Sequence, residues 1–116
     1  MYVDGFVLAV KTDKRDEYRA MAAMAAAVFK EHGATRVVEC WADEVPDGEV
    51  TSFPLAVKRE ADETVLFSWI EYPDKATRDT CMAAAMADPR LSMTQDDSIL
   101  DSKRIIYGGF SPFLDT

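Results

Sequence analysis

Hydrophobic positions recur along the chain with two different periods, and the switches between them divide it into elements. Tyr2 to Val10 is dense in β-branched and aromatic residues and predicts a strand, ending at Lys11-Thr12-Asp13, where Thr12 or Asp13 offers a helix cap. From Asp13 to His32, Tyr18, Met21, Ala25, Val28, Phe29 and His32 return at three- and four-residue steps without Gly or Pro, and Gly33 supplies a left-handed stop. That pattern predicts a long amphipathic helix. Thr35 to Ala42 and Thr64 to Tyr72 alternate residue by residue and predict two more strands. Between them, Ser52-Phe53-Pro54 reads as a cap followed by Pro in a first helical turn. After Pro73, Asp74 caps a helix rich in Ala and Met, with Ala76, Thr80, Ala83, Ala84 and Ala87 along one side and Cys81, Met82 and Met86 beside them; Asp88-Pro89 stops it. Met93 to Ser102 reads as an irregular acidic loop, and Lys103 to Phe110 as a last strand that relaxes at Gly108-Gly109.

The resulting order, β-α-β-β-α-β over one domain spanning residues 1–116, is the split βαβ or ferredoxin-like pattern of the α+β class: a four-stranded antiparallel sheet with both helices on one face. The other face then needs an account. Asp4, Phe6 and Leu8 share a face of the first strand, Val37, Glu39 and Trp41 of the second, Phe67, Trp69 and Glu71 of the third; the opposite faces carry mostly small residues, Gly5, Ala9, Cys40, Ala42 and Ser68. Three carboxylates under a helix layer would need buried partners, so the mixed aromatic and acidic set is expected on the free face. Four large aromatic side chains there form an apolar patch too large for a monomer, and a sheet-to-sheet homodimer is the simplest cover.

Composition narrows the function classes. At 116 residues the chain fits one core, and 48% hydrophobic with 29% charged residues is the balance of a folded globule. Thirteen Lys and Arg face 21 Asp and Glu, a formal charge of −8 with no basic stripe, so nucleic acid is not an expected partner. The longest apolar run, Ala20 to Phe29, is half of what a membrane crossing needs, and Asp4 stands where a signal peptide would carry Lys or Arg. A soluble, cytoplasmic protein is expected, with no membrane association. Cys40 and Cys81 make neither a disulfide framework nor a zinc knuckle. A calcium loop starting at Asp43 fails at Val45 and Pro54, where oxygen ligands are required.

The segments Tyr2-Val3-Asp4-Gly5-Phe6-Val7, Thr51-Ser52-Phe53-Pro54, Thr64-Val65-Leu66-Phe67-Ser68-Trp69-Ile70, Met86-Ala87-Asp88-Pro89-Arg90-Leu91 and Lys103-Arg104-Ile105-Ile106-Tyr107-Gly108-Gly109-Phe110, in this order over nearly the whole chain, resemble the YbaA-like bacterial family, a family of unknown function. That family looks like the dimeric α/β-barrel group, which also contains cofactor-independent monooxygenases of antibiotic biosynthesis, muconolactone isomerases and haem-binding relatives of chlorite dismutase. The resemblance implies a ferredoxin-like fold and a homodimer, and no particular reaction. Asp97 to Ser102 departs from the family pattern.

Candidate chemistry is sparse. The single histidine, His32, falls at a helix end, where a cationic or polar side chain favours the terminal carbonyls, and one His supplies neither a two-His metal site nor a facial triad. No phosphate, dinucleotide or nucleophile-elbow motif is present, and no cofactor or metal is expected. Polar residues projecting from apolar strands are the remaining candidates: Asp4, Glu39, Glu71 and Tyr107 as catalytic groups, with Trp41, Ser68 and Trp69 lining a ligand site. A carboxylate desolvated beside an indole rises in pKa and can serve as a general base. The competing structural reading pairs Asp4 or Glu71 with Lys103, Arg104 or Arg78 in an ion pair. The slim, Ala-rich helices leave room for a cavity over the sheet. Two functions follow: a protein that binds or transforms a small, partly apolar molecule, and a non-catalytic dimeric interaction module.

Overall fold

The computed structural model describes residues 1–93 and 95–116. Strand β1 (Tyr2–Lys11) pairs antiparallel with β3 (Glu63–Tyr72) along its whole length, from Tyr2 opposite Tyr72 to Lys11 opposite Glu63. On its other side β1 takes β4 (Ile106–Phe110), with Val3 opposite Phe110 and Val7 opposite Ile106. The outer side of β3 takes β2 (Arg36–Trp41), giving the order β2-β3-β1-β4. Helix α1 (Arg15–Glu31) crosses from β1 to β2, and α3 (Lys75–Ala87) from β3 toward β4, each stepping over a strand that the other half of the chain inserts. The expected α+β ferredoxin-like arrangement is the one adopted.

Local chemistry explains most element ends. Ser52 caps α2 (Phe53–Ala56) by accepting from the Leu55 amide at 3.1 Å, and Asp74 caps α3 by accepting from Thr77 at 2.7 Å. Gly33 ends α1 at φ 125°, and a Cβ there would also approach the Thr77 methyl at 2.9 Å. Neither Thr12 nor Asp13 caps α1: residues Thr12–Lys14 form a 3-10 turn, and the Thr12 hydroxyl meets that of Thr64 at 2.7 Å, tying the turn to β3 instead. Asp88-Pro89 stops α3 and at once starts α4 (Pro89–Ser92), capped by Asp88. The stretch expected as an irregular loop over 93–102, whose position 94 lies outside the described residues, is not simply solvated. Ile99 and Leu100 are buried, and Leu100 bridges Val10. The last strand is shorter than expected because Ser102–Arg104 turns as a 3-10 segment under an Asp101 cap.

The core lies between helices and sheet in two clusters. Val28 and Phe29 of α1 meet Ile70, Tyr72, Cys81 and Ala85; farther along, Tyr18 meets Leu8, Val10, Leu66, Ile99 and Leu100. The side of α3 that packs carries Cys81 and Ala85 rather than the row of Ala76, Thr80, Ala83 and Ala87, which faces outward.

Face assignment is the main correction to the sequence reading. Asp4, Phe6 and Leu8 of β1, with Val37, Glu39 and Trp41 of β2, face the helices, and Ser68 joins them, opposite both Phe6 and Glu39. Only Phe67, Trp69 and Glu71 lie on the free face, with Val3, Val7, Ile106 and Phe110. Burial of Asp4 and Glu39 is tolerable because each finds the partners whose absence argued against it. On the free face, Val57 and Val45 cover Val7, Ala9 and Val65, and the Phe53 ring stands edge-on to Phe67 at 5.7 Å. The remainder of that face is open.

Candidate functional site

A row of residues crosses the helix-facing side of the sheet in register: Glu39 on β2 opposite Ser68 on β3, Ser68 opposite Phe6 on β1, and Phe6 opposite Tyr107 on β4. Three strand spacings separate its ends, about 14 Å. Above this row, α1 contributes Met21, Ala22 and Ala25 and α3 contributes Met82 and Met86, and because the alanines are short the layers do not close. The result is a cavity of about 640 Å³. Asp96, Asp97 and the largely exposed Tyr107 stand at its rim.

Glu39, at one end of the row, brings a carboxylate under the apolar helix wall of this cavity. Tyr18 donates its hydroxyl to Glu39 Oε1 at 2.8 Å, and Ser68, completely buried, donates to the same oxygen at 2.7 Å. No donor among the described residues reaches Oε2, which is left for a molecule in the cavity. Burial pushes the Glu39 carboxyl above its ordinary range, and the two hydroxyls only partly offset this. Burial and the neighbouring Glu39 charge push the Tyr18 phenol far upward, so it stays protonated and donates. The pair therefore presents a fixed carboxylate with one free oxygen and high proton affinity.

Asp4, on the same face, is differently employed. Arg78 of α3 grips both its oxygens, Nε at 3.1 Å from each and Nη2 at 2.9 Å from Oδ1, while the Tyr72 hydroxyl donates to Oδ2 at 2.9 Å. This is one of the ion pairs anticipated from sequence. The guanidinium also lies over the Tyr2 ring, 5.3 Å from its centroid. Gly109, opposite Asp4, leaves room for this contact: a Cβ there would meet the Tyr2 hydroxyl and stand 2.9 Å from Arg78 Nη2, so both side chains would have to shift. With every lone pair engaged, Asp4 is a structural anchor at the cavity wall.

The structure thus brings together Asp4, Glu39, Ser68 and Tyr107 and separates Glu71, Trp69 and Trp41 from them. Trp69 and Glu71 line a shallow groove on the free face, where the indole donates to Glu71 Oε2 at 2.8 Å and Arg36 approaches at 3.7 Å. Neither Lys103 nor Arg104 pairs with Glu71; Arg104 binds Glu63 instead. Trp41 packs at the end of the Tyr18 cluster under the Arg15 guanidinium, 4.9 Å away. His32 ends α1 with Nε2 3.3 Å from Asp88 and does not line the cavity. Tyr18, which positions Glu39, was read only as a core helix residue. Its signal was present: a tyrosine on the packed face of an Ala-rich helix must find a partner for its hydroxyl.

Comparison with known proteins agrees with this architecture. The family model described as "Protein of unknown function (DUF1428)" matches residues 1–102. The "Uncharacterized protein YbaA" of Escherichia coli strain K12 is 57% identical over 114 residues, 98% of this chain and 97% of that protein. Among solved structures, a putative antibiotic biosynthesis monooxygenase from Nitrosomonas europaea superposes with a TM-score of 0.60 at 14% identity, covering 99% of this chain and 92% of the other. A dimeric ferredoxin-like protein from an uncultured marine organism superposes with a TM-score of 0.59 at 8% identity, covering 100% and 98%. At such identities the structural likeness establishes the fold, whereas the family match and the likeness to YbaA establish kinship: the chain belongs to the DUF1428 family of proteins of unknown function.

Proposed function

We propose that this protein is a cytoplasmic homodimer that binds a small, partly apolar molecule between its helix layer and its sheet, with Glu39 as hydrogen-bond and proton acceptor. The observation that carries the reading is the Glu39 carboxylate, held through Oε1 by Tyr18 and Ser68 in a cavity whose helix wall is apolar, while Oε2 stays free. A buried carboxylate costs stability, and its retention in a roomy cavity fits a ligand that supplies a donor to it. Asp4 lacks that freedom, and Glu71 lies on the far face. If the bound molecule is transformed, the step this geometry supports is proton transfer to Glu39 from a weakly acidic O–H or C–H group, without a cofactor. The fold is shared with a putative antibiotic biosynthesis monooxygenase, which is compatible with a catalytic role. The free face, with Phe67, Ile106 and Phe110 about half exposed or more, supports the dimer, as does the fold shared with a dimeric ferredoxin-like protein.

The alternative, a non-catalytic interaction module, draws on that same face and leaves the cavity without a role. A panel of neutral phenols, enols and aliphatic alcohols assayed by calorimetry separates the two. Binding to the wild type that weakens at least tenfold in Glu39→Gln, the order expected for losing a hydrogen bond to a charged acceptor, supports the ligand site. Absence of any binder, or equal binding by the variant, removes Glu39 and favours the module.

A further inference from the structure

The segment that follows β4 leaves two large apolar side chains without any cover. Phe113 is 100% exposed and Leu114 74%, beyond a proline, Pro112, that cannot extend the ladder with β1. At the opposite edge of the sheet, on the free face, an apolar cleft of about 300 Å³ is equally unfilled. Cys40, Ala42, Val45, Phe53, Val65 and Phe67 line it. We propose that in the homodimer each Ser111–Thr116 segment crosses to the second copy and seats Phe113 and Leu114 in this cleft.

The inference rests on the dimer reading above and adds its occupant. Sheets packed face to face stand about 10 Å apart, and the four Cα steps from Phe110 to Leu114 reach about 13 Å when extended, enough to step from one sheet to the other. The chain's own cleft lies three strand spacings away, about 14 Å, along a path that a partner sheet packed on the free face would occupy. A two-fold axis makes the exchange reciprocal, so one segment and one cleft per protomer satisfy each other with no surface left over. Both features carry the same chemistry: Phe53 and Phe67, half exposed at the cleft, offer aromatic edges to an incoming phenyl ring.

The cleft supplies its own reporter, because Cys40 is exposed there while Cys81 is buried. An Asp115→Cys variant, which keeps Phe113 and Leu114, treated with a short bis-maleimide should give a covalent dimer of twice 12.9 kDa on denaturing gels, and Cys40→Ser in the same chain should abolish it. Asp115 is exposed, so the substitution leaves the fold intact. A dimeric hydrodynamic mass without Cys40-dependent intermolecular linkage, or with linkage only within one chain, overturns the segment exchange and leaves the dimer standing. A monomeric mass for the wild type overturns both.

Discussion

Glu39 is the residue at which stability and proposed function pull apart. Its carboxyl is raised by burial, so the folded state binds its proton more tightly than the unfolded chain does. The sign follows directly: stability contributed at this position is greatest below the ordinary carboxyl range and is lost as pH rises through the raised value. Glu31, Glu63, Asp74, Asp88, Asp96 and Asp101 are all lowered, mainly by hydrogen bonds, and act in the opposite direction, so the whole-protein profile hides the effect. A difference measurement isolates it. Urea denaturation of wild type and Glu39→Gln should show the variant gaining relative stability from about pH 4 to about pH 7. A constant difference across that range would mean that Glu39 is not desolvated. Tyr18→Phe should push the Glu39 carboxyl higher still, since it deletes a donor to the ionised form, and carbon-detected titration reads this directly.

At the scale of elements, the connection between β3 and β4 is secured by Arg104. Its Nη1 and Nη2 hold both oxygens of Glu63 at 2.8 and 2.6 Å, and Nη1 also donates to the Lys58 carbonyl at 2.9 Å. The Glu63 side chain is entirely buried, and without Arg104 its charge keeps, among the described residues, only the Glu60 amide at 2.9 Å and Lys11 at 3.9 Å, so Arg104→Leu should cost about 3 kcal/mol, whereas breaking the exposed Arg90–Glu31 pair should cost far less. Equal losses in denaturant from Arg104→Leu and Glu31→Gln, which spares the Arg90–Asp88 contact, would contradict this. The contrast also marks what was legible in the sequence. Strand and helix positions emerged from hydrophobic period, Ser52, Asp74 and Gly33 from local capping chemistry, and the candidate residues Asp4, Glu39, Ser68 and Tyr107 from polarity within apolar strands. Which face they occupied did not emerge, because a period of two assigns residues to faces without saying which face meets the helices. The deciding information was long-range: Arg78 and Tyr72 for Asp4, Tyr18 and Ser68 for Glu39. The Glu63–Arg104 pair, 41 residues apart in sequence, left no local trace at all.

For the whole molecule, the proposed function divides the work between the two faces of the sheet: the helix side encloses the cavity, and the free side, with Phe67, Ile106 and Phe110 exposed, is the face proposed to associate. Apolar burial is barely screened, so sedimentation at micromolar concentration should return about twice 12.9 kDa in both low and high salt, and a mass that falls toward the monomer in high salt would contradict an apolar interface. The two surfaces also carry separate reporters. Met21, Met82 and Met86 line the cavity, whereas Met1 and Trp69 line the free-face groove. Methyl-labelled methionine spectra, recorded with the indole signals while a phenol or enol binder is added, therefore show which face holds the ligand. Met21, Met82 and Met86 should shift together while Met1 and the Trp69 indole stay in place, and Glu39→Gln should weaken the response. Shifts confined to Met1 and Trp69, with the cavity methionines unmoved, would contradict it and transfer the binding site to the free face.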